Sequence, residues 1–257
     1  MTRADDEVGR PEELAPAART LAQLDEAISG CRACPRLVAW REQVAAEKRR
    51  AFLDWDYWGR PVPGFGPPDA AIAVVGLAPA AHGGNRTGRA FTGDAAGDFL
   101  YAALYAVGLA SQPTSTHRGD GLELRGVRIT MPVHCAPPEN KPTPAERDAC
   151  LPWLARELAL LRPTLRSVVV LGGFAWQALL PVLSEAGWTL PRPRPKFGHG
   201  AHVELREQGG STAGEHDGPR LHLLGCYHPS QRNTFTGTLT PAMLEDVLTH
   251  AARLADR

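Results

Sequence analysis

The stretch Ala71-Ile-Ala-Val-Val-Gly-Leu-Ala-Pro-Ala80 decides the fold of this chain. It opens with a short continuous apolar run, which is typical of a β-strand that is buried on both faces of a sheet. Three similar runs follow, at residues 126–134, 167–172 and 220–226. Helical patterns separate the four runs. The sequence therefore predicts one mostly parallel sheet with helices on both faces.

Composition excludes several classes of protein. The chain has 257 residues, with 28 Lys and Arg against 28 Asp and Glu. This balance excludes a histone-like polycation and an acidic disordered protein, but it permits nucleic-acid binding through a local basic surface. No segment approaches the ~18 apolar residues of a membrane span. Residues 1–14 are charged and are expected to form a disordered tail, with residues 15–257 as a single domain.

The most unusual sequences follow the four predicted strands. Because ligands bind at the carboxyl ends of parallel strands, we expect these loops to form one active site. They are GLAPAAHGGNRTGRAFTGD (76–94), HCAPPENKPTP (134–144), GGFAW (172–176) and YHPSQRNTFTG (227–237).

The cysteines indicate a metal or cluster site. The N-terminus has no apolar core of the secretory type, so we expect a cytoplasmic protein with reduced thiols. Cys31 and Cys34 form a local pair, whereas Cys135 and Cys150 are widely spaced. Buried free thiols, a structural zinc site and an iron–sulfur cluster held by four cysteines all remain open, and the irregular spacing favours the cluster. Cys226 lies in a predicted strand and is expected in the core.

Taken together, these motifs resemble the uracil-DNA glycosylase superfamily, and specifically its iron–sulfur branches. The resemblance covers roughly residues 25–255 and is closest to the fifth family, type B. The residues that carry it are Cys31-x-x-Cys34, Gly76-Leu-Ala-Pro-Ala80 with Gly83, Thr87-Gly-Arg-Ala-Phe-Thr-Gly-Asp94, Cys135-Ala-Pro-Pro-Glu-Asn-Lys-Pro142, Cys150 and His228-Pro-Ser-Gln-Arg-Asn-Thr-Phe-Thr-Gly237.

The resemblance implies a three-layer α/β/α sandwich around a central four-stranded parallel sheet. It also implies a structural [4Fe–4S] cluster on Cys31, Cys34, Cys135 and Cys150, and the removal of damaged bases from DNA. The expected partner is double-stranded DNA with a flipped base, with no membrane partner, and the protein is expected to be a monomer. Alternatives are a binding module without turnover, held together by a four-cysteine cluster or zinc, and a redox protein that uses the cluster.

Three residues are catalytic candidates. Cleavage of an N-glycosidic bond places positive charge on the sugar and negative charge on the departing base. Asp94 is expected to hold water and stabilise the sugar cation, although it is also a good helix N-cap, and Asp98 is its weaker substitute. His228 is expected to stabilise the departing base, although a turn histidine is the alternative. Asn140 is expected to hold water or a base edge, although it also suits a turn.

The loop after the first strand is predicted to bind the base. Phe91 is expected to stack on it, with a core phenylalanine as the alternative. Small residues allow the backbone to approach a ligand closely. The other predicted substrate-binding residues are Gly76, Ala78, Ala80 and His82.

DNA contacts are predicted on the loop after the fourth strand. Ser230, Gln231, Arg232 and Asn233 are expected to contact phosphates and enter the duplex near the flipped base. Arg86 and Arg89 lie on the facing loop, and residues 191–196 are a second basic stretch that also suits a solvated surface loop. With zero net charge, only a few phosphate contacts are expected.

Two departures from the family pattern predict broad specificity. Leu77 stands where many members carry a polar or acidic residue, so it cannot activate water and Asp94 must supply the carboxylate. Met131 or a neighbour stands where a related branch has an asparagine that recognises uracil. Because an apolar site discriminates weakly, we expect hypoxanthine and xanthine as substrates beside uracil. No lysine is placed to form a Schiff base, so a monofunctional enzyme is expected.

Overall fold

A computed structural model of the chain describes residues 9–208 and 218–256. Within these residues, no helix has the length and apolar character needed to cross a membrane. Residues 1–8 of the expected tail lie outside the described ranges. Residues 11–14 instead begin a helix in which Pro11 and Ala15 are buried, and Arg156 holds the end of this helix by donating to the Ala18 carbonyl at 2.8 Å.

The described residues form a six-stranded sheet, in the order β2-β1-β3-β6-β5-β4. The first four of these strands are parallel and confirm the predicted sheet. Two antiparallel strands that the sequence analysis missed extend it beyond β6. The strands are β1 (Ile72–Val75), β2 (Val127–Thr130), β3 (Ser167–Leu171), β4 (Trp188–Thr189), β5 (His202–Glu207) and β6 (Arg220–Cys226).

Helices cover both faces of the sheet, which confirms the α/β/α layers. Helices α1, α2, α6 and α7 pack on one face, and α5 and α9 pack on the other. The helices are α1 (Pro11–Ala17), α2 (Leu21–Gly30), α3 (Pro35–Glu47), α4 (Gly84–Thr87), α5 (Ala95–Ala106), α6 (Pro144–Leu161), α7 (Gly173–Glu185), α8 (Gln231–Phe235) and α9 (Pro241–Ala255).

Strand β1 shows why an apolar run forms the centre of the sheet. Ala73 and Val75 belong to one core cluster, whereas Ile72 and Val74 belong to the cluster on the opposite face. All four residues are buried. Each large side chain contributes about 1.5–3 kcal/mol when it is fully removed from water, so a polar residue on either face would be costly.

Local signals position the loops that leave the sheet. Helix α6 begins with a capping box, in which the Thr143 side chain accepts from the Glu146 amide and the Glu146 carboxylate accepts from the Thr143 amide. Pro144 occupies the first turn, where its missing N–H costs nothing. Loss of such a cap typically costs about 1 kcal/mol. This cap fixes the end of the loop after β2, which contains Cys135 and Asn140.

Candidate active site

Three predicted residues meet at the carboxyl end of the parallel strands. Gly76 directly follows β1, and a Cβ at this position would lie 2.7 Å from the Phe91 ring. The Phe91 ring centroid is 5.9 Å from that of His228, which follows β6, and the two planes are tilted by 34°. Glycine is therefore required at position 76 for the ring to approach the sheet, and Phe91 forms a wall between two of the predicted loops.

The backbone at Phe91 is fixed in an unusual conformation. Its φ is 50°, in the left-handed region that residues with a Cβ rarely adopt. The Phe91 carbonyl lies directly against Gly97, in the first turn of α5, where any Cβ would overlap it. The buried Tyr101 hydroxyl donates to the neighbouring Ala90 carbonyl at 2.9 Å. These contacts anchor the Phe91 ring to α5.

Asp94 fills the helix-capping role that the sequence analysis gave as the alternative, and its predicted catalytic role remains a prediction. Its Oδ1 accepts from the Gly97 amide at 2.9 Å, which makes it the N-cap of α5. Its Oδ2 lies so close to Gly83 that a Cβ there would overlap it. Burial raises the pKa of Asp94, and the backbone N–H groups of Gly97 and Ala96 oppose that rise. The carboxylate is thus held on the loop after β1 with one oxygen used for capping.

His228 is positioned by the ends of β3 and β6. A Cβ on Gly172, after β3, would lie 3.3 Å from the His228 Cβ. Burial lowers the pKa of His228 to about 4, so the imidazole is neutral at pH 7. Its ring has no hydrogen-bond partner within residues 9–208 and 218–256. A neutral, desolvated imidazole of this kind is able to donate one hydrogen bond to a ligand.

The other predicted substrate residues have partners of their own. His82 Nδ1 lies 3.1 Å from the Tyr57 hydroxyl, and burial is the main cause of its lowered pKa. Ala78 packs against the cluster that contains Cys135. The Ala80 carbonyl accepts from the amides of Gly83 and Asn85. These contacts leave the predicted roles of His82, Ala78 and Ala80 in base binding untested.

Asn140 lies on an exposed turn after β2. The turn spans Pro138–Asn140, and Glu139 and Asn140 both have positive φ angles, at 54° and 57°. Within the described residues, no hydrogen bond connects the Asn140 side chain to Asp94 or His228. Its predicted catalytic role therefore has no geometric support from the other two candidates.

The predicted DNA-binding residues fall into two pairs. Ser230 caps α8 by accepting from the Asn233 amide, and Asn233 Nδ2 donates to the His228 carbonyl at 2.8 Å. These two side chains therefore shape the loop after β6. Gln231 and Arg232 are exposed on α8 and remain available to a ligand.

Phe235 is a surface residue that the sequence analysis missed. It ends α8 and is 80% exposed, more than any other large hydrophobic side chain described. The available signal was a single aromatic residue in the polar run QRNTFTG. The Phe235 ring is therefore open to solvent at the end of α8.

The prediction that Arg86 and Arg89 face DNA is wrong, because both are buried. Arg86 donates to the carbonyls of His82 and Gly93 and lies between the rings of Phe52 and Trp55. Arg89 forms an ion pair with Asp120 at 2.6 Å and bonds to Ser115 and Thr92. Both guanidinium groups hold the loop together rather than contacting a partner.

Four cysteines converge beside this site. One small cavity is lined by Cys31, Cys34, Cys135 and Cys150. Burial raises the pKa of Cys34, Cys135 and Cys150, and the neighbouring cysteines raise the pKa of each further. Among the described residues, no group of three or more His, Cys, Asp or Glu side chains stands in a finished metal-ligating arrangement. The donor set nevertheless suits a thiolate-bound group, whereas Cys226 is a core residue as predicted.

Comparison with known proteins identifies the family. The model of the uracil DNA glycosylase superfamily matches residues 63–252. The chain belongs to the uracil-DNA glycosylase superfamily. It is 53% identical to the type-5 uracil-DNA glycosylase of Mycobacterium tuberculosis over 242 residues, covering 94% of this chain and 84% of that protein. The Thermus thermophilus type-5 enzyme is 51% identical over 230 residues, covering 90% and 96%.

The type-4 members of the superfamily are more distant. A type-4 uracil-DNA glycosylase of Pyrobaculum aerophilum is 30% identical over 211 residues, whereas the type-5 protein of the same organism is 46% identical over 222 residues. The resemblance to the fifth family is therefore confirmed.

Proposed function

We propose that the protein is a monofunctional DNA glycosylase of base-excision repair that removes uracil from DNA. The observation that carries this proposal is the contact between the rings of Phe91 and His228, on loops that leave β1 and β6 at the same edge of the sheet, with Asp94 three residues after Phe91 on the first loop. Curated relatives that share about half of the sequence are called uracil-DNA glycosylases. As proposed, the enzyme acts as a cytoplasmic monomer.

In the proposed reaction, an extruded base stacks on the Phe91 ring. The bond between C1′ of the sugar and the base nitrogen breaks, and its electron pair leaves with the base. Neutral His228 donates a hydrogen bond to the base oxygen on which this negative charge develops. A hydrogen-bond donor that is already desolvated loses little further hydration as the charge forms, which suits the lowered pKa of His228.

The Asp94 carboxylate acts on the sugar side of the same bond. Its negative charge stabilises the positive charge on the sugar and orients a water molecule. The water oxygen bonds to C1′, and the water proton passes to the carboxylate. Lys141 is exposed and pairs with Glu139 at 3.2 Å, so this lysine is not placed as a nucleophile. We therefore expect hydrolysis without strand cleavage.

We expect other deaminated bases, including hypoxanthine and xanthine, to be substrates. Met131 is buried, and its Cγ lies 3.5 Å from the position that a Cβ on Gly76 would take. The pocket wall beside Phe91 is therefore apolar, at the place where a related branch is expected to have an asparagine. Such a wall cannot strongly reject a larger base on hydrogen-bonding grounds.

Double-stranded DNA is the proposed partner, and α8 is the proposed contact. Exposed Gln231 and Arg232 are able to bind phosphate oxygens. Phe235 is placed one turn further along, where an apolar side chain that inserts between base pairs stabilises the space left by the flipped base. The exposure of these three side chains supports this orientation.

The proposed cofactor is a structural [4Fe–4S] cluster on Cys31, Cys34, Cys135 and Cys150. These cysteines lie at the end of α2, the start of α3, the loop after β2 and the middle of α6. A bound cluster supplies no step of base removal and instead cross-links these four segments.

The deciding experiment uses duplex DNA with one uracil at a defined position. The protein is incubated with the duplex, alkali then cleaves any abasic site, and a gel resolves the fragments. We expect cleavage at the uracil only after alkali treatment. Tight binding without cleavage supports the alternative of a non-catalytic module, and cleavage without alkali contradicts a monofunctional enzyme. The same assay with hypoxanthine opposite thymine, under enzyme excess, tests broad specificity.

A further inference from the structure

Arg41 is a buried cation whose charge has no complete partner among carboxylates. It lies in α3, and only 2% of its surface is exposed. A buried charge is costly unless groups of opposite charge or hydrogen-bond acceptors lie nearby. In the described residues, the one carboxylate within 4.0 Å belongs to Glu42, which also pairs with Arg32 on the exposed side of α3.

The guanidinium points instead at the cysteine site. Its Nη1 donates to Cys135 Sγ at 3.0 Å, and its Nη2 donates to the Cys31 carbonyl at 3.1 Å. Its Nε is buried without a partner among the described residues. A neutral thiol is a weak acceptor, whereas a metal-bound thiolate carries the negative charge that a buried arginine requires.

The main chain of Arg41 contacts the loop that supports Asp94. The Arg41 carbonyl accepts from Asn85 Nδ2 at 3.1 Å. Asn85 is completely buried in α4, and its main-chain N–H donates to the Ala80 carbonyl at 3.0 Å. Helix α4 directly follows Gly83, the residue against which the Asp94 carboxylate lies. Arg41 thus joins the cysteine site to the Asp94 loop through three direct hydrogen bonds, two from its side chain to the cysteine segments and one from Asn85 to its main-chain carbonyl.

We infer that Arg41 is a positioning residue that compensates the metal-bound thiolate of Cys135 and, through Asn85, holds the loop beneath Asp94. This inference rests on the proposed cysteine-bound cluster. In this inference the cluster affects catalysis only through the position of the loop that carries Asp94, because it touches no reacting atom.

The first test measures the stability of the cluster in purified holoprotein. The rate at which its visible absorbance disappears in air and chelator is compared among the wild type, Arg41→Gln and Arg41→Lys. Outer-shell partners typically change metal affinity by 10–100-fold, so we expect loss to be at least about tenfold faster in Arg41→Gln. Arg41→Lys retains a charge and is expected to be intermediate.

Arg36→Gln is the matched control for that measurement. Arg36 also lies in α3 near the cysteines, but its guanidinium binds Glu146 and the Lys141 carbonyl rather than a sulfur. We expect Arg36→Gln to lose its absorbance at the wild-type rate. Equal rates for Arg41→Gln and the wild type would overturn the inference, as would equal acceleration in Arg36→Gln.

The second test separates the two contacts of Arg41. Asn85→Ala removes the bond to the Arg41 carbonyl, and hydrogen exchange is measured at residues 83–87 in the holoprotein. We expect faster exchange and a slower single-turnover rate, with cluster loss unchanged. Ser167→Ala is the control, because it deletes another buried bond to a carbonyl, at the opposite end of the sheet. Unchanged exchange in Asn85→Ala, or in Arg41→Gln, would refute the connection.

The failure of this inference is distinguishable from the failure of the proposed function. If purified wild-type protein contains no iron or sulfide and has no visible absorbance, both the proposed cluster and this inference are contradicted. If it has the absorbance but does not remove uracil, only the glycosylase proposal is contradicted, because the rate of absorbance loss does not depend on activity.

Discussion

The loop after β1 and the loop after β6 are both rich in polar residues, but they use them differently. In the first loop, Asn85, Arg86 and Arg89 are buried and bonded within the protein. In the second, Gln231, Arg232 and Phe235 are exposed. The first loop therefore holds Asp94 and Phe91 through bonds within the protein, whereas the second presents side chains to solvent. Substitutions in the two loops should separate chemistry from DNA binding.

Asp94→Ala is expected to have the largest effect. Loss of the group that stabilises the sugar cation and orients water should lower the single-turnover rate by about 10³-fold. Affinity for abasic DNA should stay within about twofold, since Asp94 lies on the supporting loop and surface contacts are unchanged. Asp98→Ala is the control, because Asp98 is an exposed carboxylate in the same turn of α5. Near-normal turnover in Asp94→Ala together with loss of turnover in Asp98→Ala would move the role to Asp98.

The pH profile provides a second check on Asp94. Burial raises its pKa above the ordinary carboxyl value of 3.8. The reaction needs the ionised form, so the rate should fall as the pH is lowered, beginning above the pH at which an exposed aspartate is protonated. The rates of Asp94→Asn are divided by its own maximal rate before the comparison. If the rate of this variant then falls at low pH as it does in the wild type, Asp94 is not the titrating group.

His228→Ala is expected to have the second-largest effect on the rate, because removal of one preorganised donor costs about 10²-fold.

The same substitution should change how the stability of the folded protein depends on pH. In the unfolded chain His228 binds a proton below pH ~6.5, whereas in the folded protein it binds one only below about pH 4. The wild type should therefore lose stability as the pH falls through this window, and His228→Ala should lose less. Thermal unfolding at several pH values, with exposed His117→Ala as control, measures the difference.

Phe235→Ala is expected to act on binding rather than chemistry. If the ring occupies the space left by the flipped base, its removal should weaken binding to uracil-containing duplex by about tenfold, since one stacking contact is worth ~1–3 kcal/mol. Binding to single-stranded DNA should change less. Tyr105→Ala removes a half-exposed aromatic from α5 and serves as the control. Equal losses on both substrates would argue against insertion.

Arg232→Ala should have the smallest effect. One exposed phosphate contact should change affinity a few-fold and reduce the salt dependence of binding by about one unit of slope. The single-turnover rate at saturating protein should remain the same. Arg166→Ala, an exposed arginine at the opposite end of the strands, should change neither property. A loss of rate at saturation would place Arg232 in the chemistry.

The four parallel strands were predictable from sequence, whereas the two antiparallel strands β4 and β5 were not. Strand β1 is a run of apolar residues that is buried on both sides, and this pattern has few other structural solutions. Strand β5 reads His-Val-Glu-Leu-Arg-Glu, with only Leu205 fully buried. Because most of its side chains are exposed, so short a strand shows little apolar alternation, and its sequence resembles that of a polar loop.

Sequence also indicated that the loops after β1 and β6 approach each other, but not which cations reach the surface. The contact between Phe91 and His228 could be expected because each lies on a loop that follows a buried parallel strand. Arg86 and Arg89 have the charge of DNA contacts, and their burial depends on partners such as Trp55 and Asp120 that are distant in sequence. Phe235 shows the converse, since an aromatic residue is normally expected in the core.

The contact between Gly97 and the Phe91 carbonyl has a consequence for the size of base that fits. Asp94 caps the first turn of α5, and the Phe91 carbonyl rests against Gly97 in the same turn. The carboxylate and the aromatic ring are therefore both attached to one helix, whereas His228 is attached to the end of β6. A two-ring purine needs more space between these two attachments, but it needs no change in the spacing of carboxylate and ring. A methyl group at position 97 would overlap the Phe91 carbonyl, so we expect Gly97→Ala to displace the ring and to narrow the range of bases that are removed.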